Sequence, residues 1–98
     1  MEFVQIIDYR THRGDELMAL GKEWDETGSG SATAPTRTIV CRDRDDATHY
    51  VTIAFFPSYE QAMANSEAPD TDAMAKRMAE LVDGAPSFAN LDVVMDTP

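Results

Sequence analysis

The sequence predicts an α+β domain with elements in the order β-α-β-β-α-β, the second helix split in two. Three observations predict it. Four short runs are rich in β-branched and aromatic residues: Phe3 to Tyr9, Thr36 to Arg42, His49 to Phe56 and Phe88 to Met95. Apolar residues recur at helical spacing between the first and second runs, and again between the third and fourth. The charged segment Asp43 to Ala47 is a short polar link, which makes the second and third runs an antiparallel hairpin.

The first helix is expected from about Arg13 to Glu26. Leu17, Leu20, Gly21 and Trp24 form its apolar stripe, and Asp15 is a plausible N-cap. Thr27 to Pro35 has small residues, two glycines and no anchoring hydrophobe, so it reads as a loop. Pro57 ends the third strand because it cannot donate to a ladder. Ser58 followed by Gln61 is a capping-box pattern that opens a short helix to about Asn65. Pro69 breaks that helix, and Asp70 and Thr71 are cap candidates for the next piece. Met74, Met78, Leu81 and Val82 are its apolar stripe, and Asp83-Gly84 closes it. The whole is a ferredoxin-like arrangement, a four-stranded antiparallel sheet with its helices on one face.

The chain has 98 residues, which is one domain. Eighteen acidic and eight basic side chains give a net charge of −10. That argues against nucleic acid and against anionic membrane surfaces, because both need clustered Lys and Arg. No apolar run approaches the ~18 residues that span a bilayer. The N-terminus has neither a basic leader nor a signal-peptide block. The expectation is a cytoplasmic bacterial protein. The single Cys41 excludes an internal disulfide.

Alternation along the strands gives each a two-sided apolar pattern. Phe3, Ile7 and Tyr9 oppose Val4 and Ile6. Val51, Ile53 and Phe55 oppose Tyr50, Ala54 and Phe56. Leu91, Val93 and Met95 oppose Phe88 and Val94. Two helices cover only one face of four strands. The other face is expected to be covered by a second copy, in a homodimer through the sheet face. Burying even ~600 Å² per subunit contributes several kcal/mol before association costs.

The segment HYVTIAFFPSYEQAMANSEAPDTDAMAKRMAELVDG resembles the small dimeric α+β-barrel proteins related to antibiotic biosynthesis monooxygenases. The resemblance is carried by the apolar third strand, the helix start at Ser58 to Ala62, Asn65-Ser66 before Pro69, and the Asp83-Gly84 ending. With the first strand and the Trp24 helix it spans nearly the whole chain. It implies a pocket between sheet and helices for a flat, mostly apolar aromatic molecule, polyketide- or quinol-like, and oxidation without a cofactor. Haem-degrading relatives use an Asn, a Trp and a His on the second helix. Here that helix has no His and the single Trp is on the first helix, which speaks against haem degradation.

His49 and Tyr50 are the candidate catalytic residues. His49 could act as a general base, since imidazole titrates near neutrality, or be a solvated strand end. Tyr9, Trp24, Phe55, Asn65, Met74, Met78 and Phe88 are candidate substrate-binding residues. Each has a plainer reading. Trp24 and the methionines fill cores, and Asn65 ends helices. No metal site is expected, since Cys41, His12 and His49 lack ligand spacing. The alternatives on the same fold are a non-catalytic small-molecule binder, or a cyclase or isomerase using His49 with a tyrosine partner. The loop at 27–35 could be a lid or an unselected connection.

Overall fold

The computed structural model describes residues 2–28 and 33–98. The elements are β1 (Phe3–Arg10), α1 (Gly14–Gly28), β2 (Arg37–Arg42), β3 (His49–Phe56), α2 (Tyr59–Glu67), α3 (Pro69–Ala79) and β4 (Ser87–Asp92). All strand pairs are antiparallel, and the sheet order is β2-β3-β1-β4. The ferredoxin-like expectation, split second helix included, is what the chain adopts. Part of the loop at 27–35 falls on residues 29–32, outside the described residues.

Several boundaries differ, each for a local reason. Asp15 lies inside the first turn of α1 instead of capping it. The segment before α1 is fixed by Thr11, whose hydroxyl accepts from the Arg13 N–H at 2.9 Å and donates to the Leu81 carbonyl at 2.6 Å. Asp15 and Glu16 in that turn still suit the positive end of the helix dipole. Asp70 and Thr71 do not cap α3. It begins at Pro69, whose fixed φ and missing N–H suit a first helical position, with Ala68 as the joint between α2 and α3. Ser58 does cap α2, accepting from the Gln61 N–H at 3.2 Å.

The third helix stops at Ala79, before Leu81 and Val82. Glu80 and Leu81 donate to the carbonyls of Arg77 and Met78, three residues back, which tightens the last turn. Thr11 then holds the Leu81 carbonyl, and the Asp83 N–H donates to the Arg10 carbonyl at 2.7 Å. Gly84 turns the chain toward β4 at φ 81°, a conformation that favours glycine. The fourth strand ends at Asp92, not Met95. The register with β1 ends at the Phe3–Asp92 pair, and the Val93 N–H then reaches the Glu2 carbonyl at 2.9 Å. Val94 and Met95 are left largely exposed.

Register fixes the two faces, because residues directly opposite each other share one. Phe3, Gln5, Ile7 and Tyr9 lie beside Phe56, Ala54, Thr52 and Tyr50. This is the helix side: Phe3, Ala54 and Phe56 form the buried cluster with Ala62 of α2, and Met63 packs against it. The opposite face carries Val4, Ile6, Ile39, Val51, Ile53, Phe55 and Leu91. Among the described residues no helix lies on it. No helix among the described residues is long and apolar enough to cross a membrane.

Candidate functional site

The helix side of the sheet is not uniformly apolar. Its ends are packed: Phe3 and Phe56 are 2% and 3% exposed at one end, and Tyr9 is 5% exposed at the other. Between them the rows read Val40-Thr52-Ile7-Phe88 and Thr38-Ala54-Gln5-Asn90. Gln5, Ile7 and Thr52 are half-buried, Asn90 is exposed, and Phe88 is 60% exposed. Polar groups in the middle of a helix-covered face are costly in a closed core, and acceptable where they line a space open to ligand and water.

The polar groups come in pairs. The Tyr9 and Thr52 hydroxyls are hydrogen-bonded at 2.8 Å. The Gln5 Nε2 donates to the Asn90 Oδ1 at 3.3 Å. Burial raises the Tyr9 pKa, the nearby Tyr50 adds to this, and the Thr52 hydrogen bond opposes it. Tyr9 therefore keeps its phenol proton at physiological pH. Its ring stacks on Tyr50 with centroids 5.9 Å apart and planes 7° from parallel. The Tyr50 hydroxyl in turn presses against the first residue of α1. A Cβ on Gly14 would come within 2.2 Å of it, so only glycine lets helix and ring approach this closely.

Two surface cavities lie against α1, and neither has Gln5, Ile7, Thr52, Phe88 or Asn90 in its wall. One, of about 380 Å³, lies at the start of α1, with Thr11, Arg13, Gly14, Thr48 and Tyr50 in its wall. The other, of about 390 Å³, lies between α1 and α3, with Leu20, Leu81, Glu23 and Arg77 among its walls. Glu23 and Arg77 are ion-paired across it at 3.0 Å.

His49 and Tyr50 are adjacent in sequence and therefore point to opposite faces, so the structure does not bring them together as one catalytic pair. His49 sits on the helix-free face, fixed between two carboxylates. Its Nδ1 is 2.9 Å from Asp43 Oδ2, and its Nε2 is 3.0 Å from both oxygens of Asp8. Only the protonated ring can donate at both nitrogens. Asp43, then Asp8, raise the His49 pKa, and His49 lowers that of Asp43. The sign follows for each. The His49 contribution to stability is full below its unfolded value of 6.5 and is lost as pH rises through the higher folded value. The Asp43 contribution is present above 3.8 and is lost as pH falls through its depressed folded value. Thermal midpoints measured from pH 6 to pH 9 are expected to fall more for the wild type than for His49→Gln. Parallel curves would mean that the clamp contributes no stability.

The remaining candidates are dispersed. Phe55 lies on the helix-free face, with the Arg37 guanidinium 5.7 Å from its ring centroid. Trp24 on α1 and Met74 and Met78 on α3 are half-buried, and none borders either cavity. Asn65, near the end of α2, accepts from the Thr33 hydroxyl at 3.5 Å, and its carbonyl accepts from the Ala68 N–H. Tyr9, Tyr50 and Phe88 are the three that share the helix-side strip. Gln5, Thr52 and Asn90 join them and were not singled out from the sequence. Alternation already placed Gln5 between Phe3 and Ile7, a polar residue on an apolar face.

No family model matches the sequence, and no characterised protein sequence matches it. The fold does have solved counterparts. SnoaB, a cofactor-independent oxygenase from Streptomyces nogalater, superposes with a TM-score of 0.83 at 15% identity, over 99% of this chain and 97% of that one. The chain has the antibiotic biosynthesis monooxygenase-like fold. A structure titled antibiotic biosynthesis monooxygenase gives a TM-score of 0.73 at 16% identity, over 97% of this chain and all of that one. Rv0793 from Mycobacterium tuberculosis gives 0.78 at 11% identity over the full length of both. At identities this low the superpositions establish the fold alone.

Proposed function

We propose that the chain is a cofactor-independent oxygenase acting on a small flat aromatic molecule, anthrone- or quinol-like, and that it works as a homodimer paired through the helix-free sheet face. The observation that carries the enzymatic reading is the polar strip on the helix side, where hydroxyls and amides surround Ile7 and Phe88. An apolar floor with a few fixed polar groups suits a ring system bearing oxygens. SnoaB, a cofactor-independent oxygenase, and the antibiotic biosynthesis monooxygenase of the same fold support the same class of reaction.

The reaction balances without a cofactor. A ring methylene and O₂ give a ring carbonyl and one water. The substrate supplies the electrons once its acidic C–H proton has left, so the protein's part is to bind, orient and stabilise the anion. Oxygen uptake by the purified protein with 1,8-dihydroxyanthrone, and no added flavin, haem or metal, is expected to exceed autoxidation in buffer, with one O₂ consumed per quinone formed. Uptake no faster than in buffer would overturn the reading.

One observation favours a second reading, a non-catalytic small-molecule binder. The strip offers hydroxyls and amides, whereas the imidazole of His49 faces the other way with both nitrogens engaged. Saturable binding of the anthrone without turnover is the result that this reading expects. A cyclase or isomerase built on His49 and a tyrosine draws no support from residues on opposite faces.

A further inference from the structure

The Tyr9–Thr52 and Gln5–Asn90 pairs have unused hydrogen-bonding capacity. Two hydroxyls carry two protons, and their mutual bond uses one, so one O–H remains to donate outward. The amide pair uses one donor and one acceptor, which leaves the Gln5 carbonyl oxygen and the Asn90 amino group available. Thr52 stands opposite Ile7, and Gln5 is two residues before Ile7 on the same strand and face. With a rise of about 3.3 Å per residue and a strand spacing of about 4.8 Å, the Thr52 and Gln5 α-carbons lie roughly 8 Å apart. Ile7 is beside both, and Phe88 continues the apolar floor on β4.

We infer that the Tyr9–Thr52 hydroxyl pair and the Gln5–Asn90 amide pair are two hydrogen-bonding stations that hold the oxygens on opposite edges of a flat ring system lying across Ile7, with the hydroxyl pair donating to the oxygen that becomes negative when the ligand ionises. This rests on the oxygenase reading and assigns residues to its substrate. On ionisation the ligand's proton passes to solvent base and its electron pair remains on the ring and its oxygen. The O–H of the hydroxyl station stabilises that charge where water is partly excluded. The amide station accepts from or donates to the far edge and takes no part in the ionisation.

The two stations therefore separate in one experiment. The full-length chain and its Tyr9→Phe/Thr52→Val, Thr52→Ser and Gln5→Leu variants are titrated with 1,8-dihydroxyanthraquinone, whose phenol ionises with a visible colour change. Tyr9→Phe/Thr52→Val, which removes both hydroxyls, is expected to weaken binding about tenfold and to raise the pH at which the bound dye ionises. Thr52→Ser, which keeps both hydroxyls, binds and ionises the dye as the wild type does. Gln5→Leu weakens binding by a similar factor and leaves the ionisation pH where it was. Variants that bind and ionise the dye like the wild type would remove the stations and leave the aromatic site standing. A wild-type chain that does not bind the dye would overturn both the stations and the site reading on which they rest.

Discussion

Phe3→Ala is expected to leave the chain largely unfolded at room temperature. Phe3 is 2% exposed, at the centre of the helix-side cluster. Its ring lies 6.4 Å from that of Phe56 and meets Tyr59 edge-on at 5.5 Å. Tyr59 is the first residue of α2, so one side chain ties that helix to two strands. Removing a buried phenylalanine costs about 3–5 kcal/mol, against a total of about 5–15 kcal/mol for a domain of ordinary stability. This domain has little elsewhere to offset the loss. The next residues along the same face, Gln5 and Thr52, are polar, and the buried hydrophobic set among the described residues is small. Far-ultraviolet circular dichroism against urea is the measurement. Ile7→Ala, on the same strand and face but half-buried, is the comparison and should shift the midpoint less. A Phe3→Ala midpoint no lower than that of Ile7→Ala would show that the core does not lie where the burial places it.

The fold was legible because each level of the sequence agreed with the next. Strand composition, two helical stripes and a short hairpin link specify the order of elements, and alternation along each strand sorted Phe3 from Val4 and Phe55 from Phe56 before any register was known. Terminations were harder to read, because they depend on contacts between distant residues. Thr11 ends α3 by taking the carbonyl of Leu81, seventy positions away. β4 stops at Asp92 although Val93 to Met95 have strand composition, and the Val93 N–H bonds the Glu2 carbonyl just outside β1. The site was legible only in part. Alternation sorted Tyr9, Tyr50 and Phe88 to one side of their own strands, and only the pairing of the strands makes those sides a single face. Their polar companions depend on register, which sets Thr52 opposite Ile7 and Asn90 opposite Gln5. His49 misled for the same reason. Asp43 lies six residues away along the chain, but Asp8 reaches the ring only through the pairing of β1 with β3.

Ile53→Lys is expected to convert a wild-type dimer into a folded monomer, read as a halving of the sedimenting mass at micromolar concentration with the circular dichroism spectrum unchanged. Ile53 lies opposite Ile6 on one side and Ile39 on the other, in the middle of the helix-free face. Within a lone subunit a lysine there extends into water at little cost. In a symmetric pair the same substitution enters the interface twice, and each buried ammonium loses several kcal/mol of hydration. The fold itself should tolerate the change, because the Phe3 cluster lies on the other side of the sheet. A wild type that sediments as a single subunit would refute the assembly outright. A variant that unfolds would show that this face is held within one chain, and that Ile53 is part of its own subunit's core. The opposite orientation of the two faces carries a further consequence. Thr52, next in sequence to Ile53, points to the helix side, so the monomeric variant should still bind the anthraquinone dye, which separates assembly from ligand recognition.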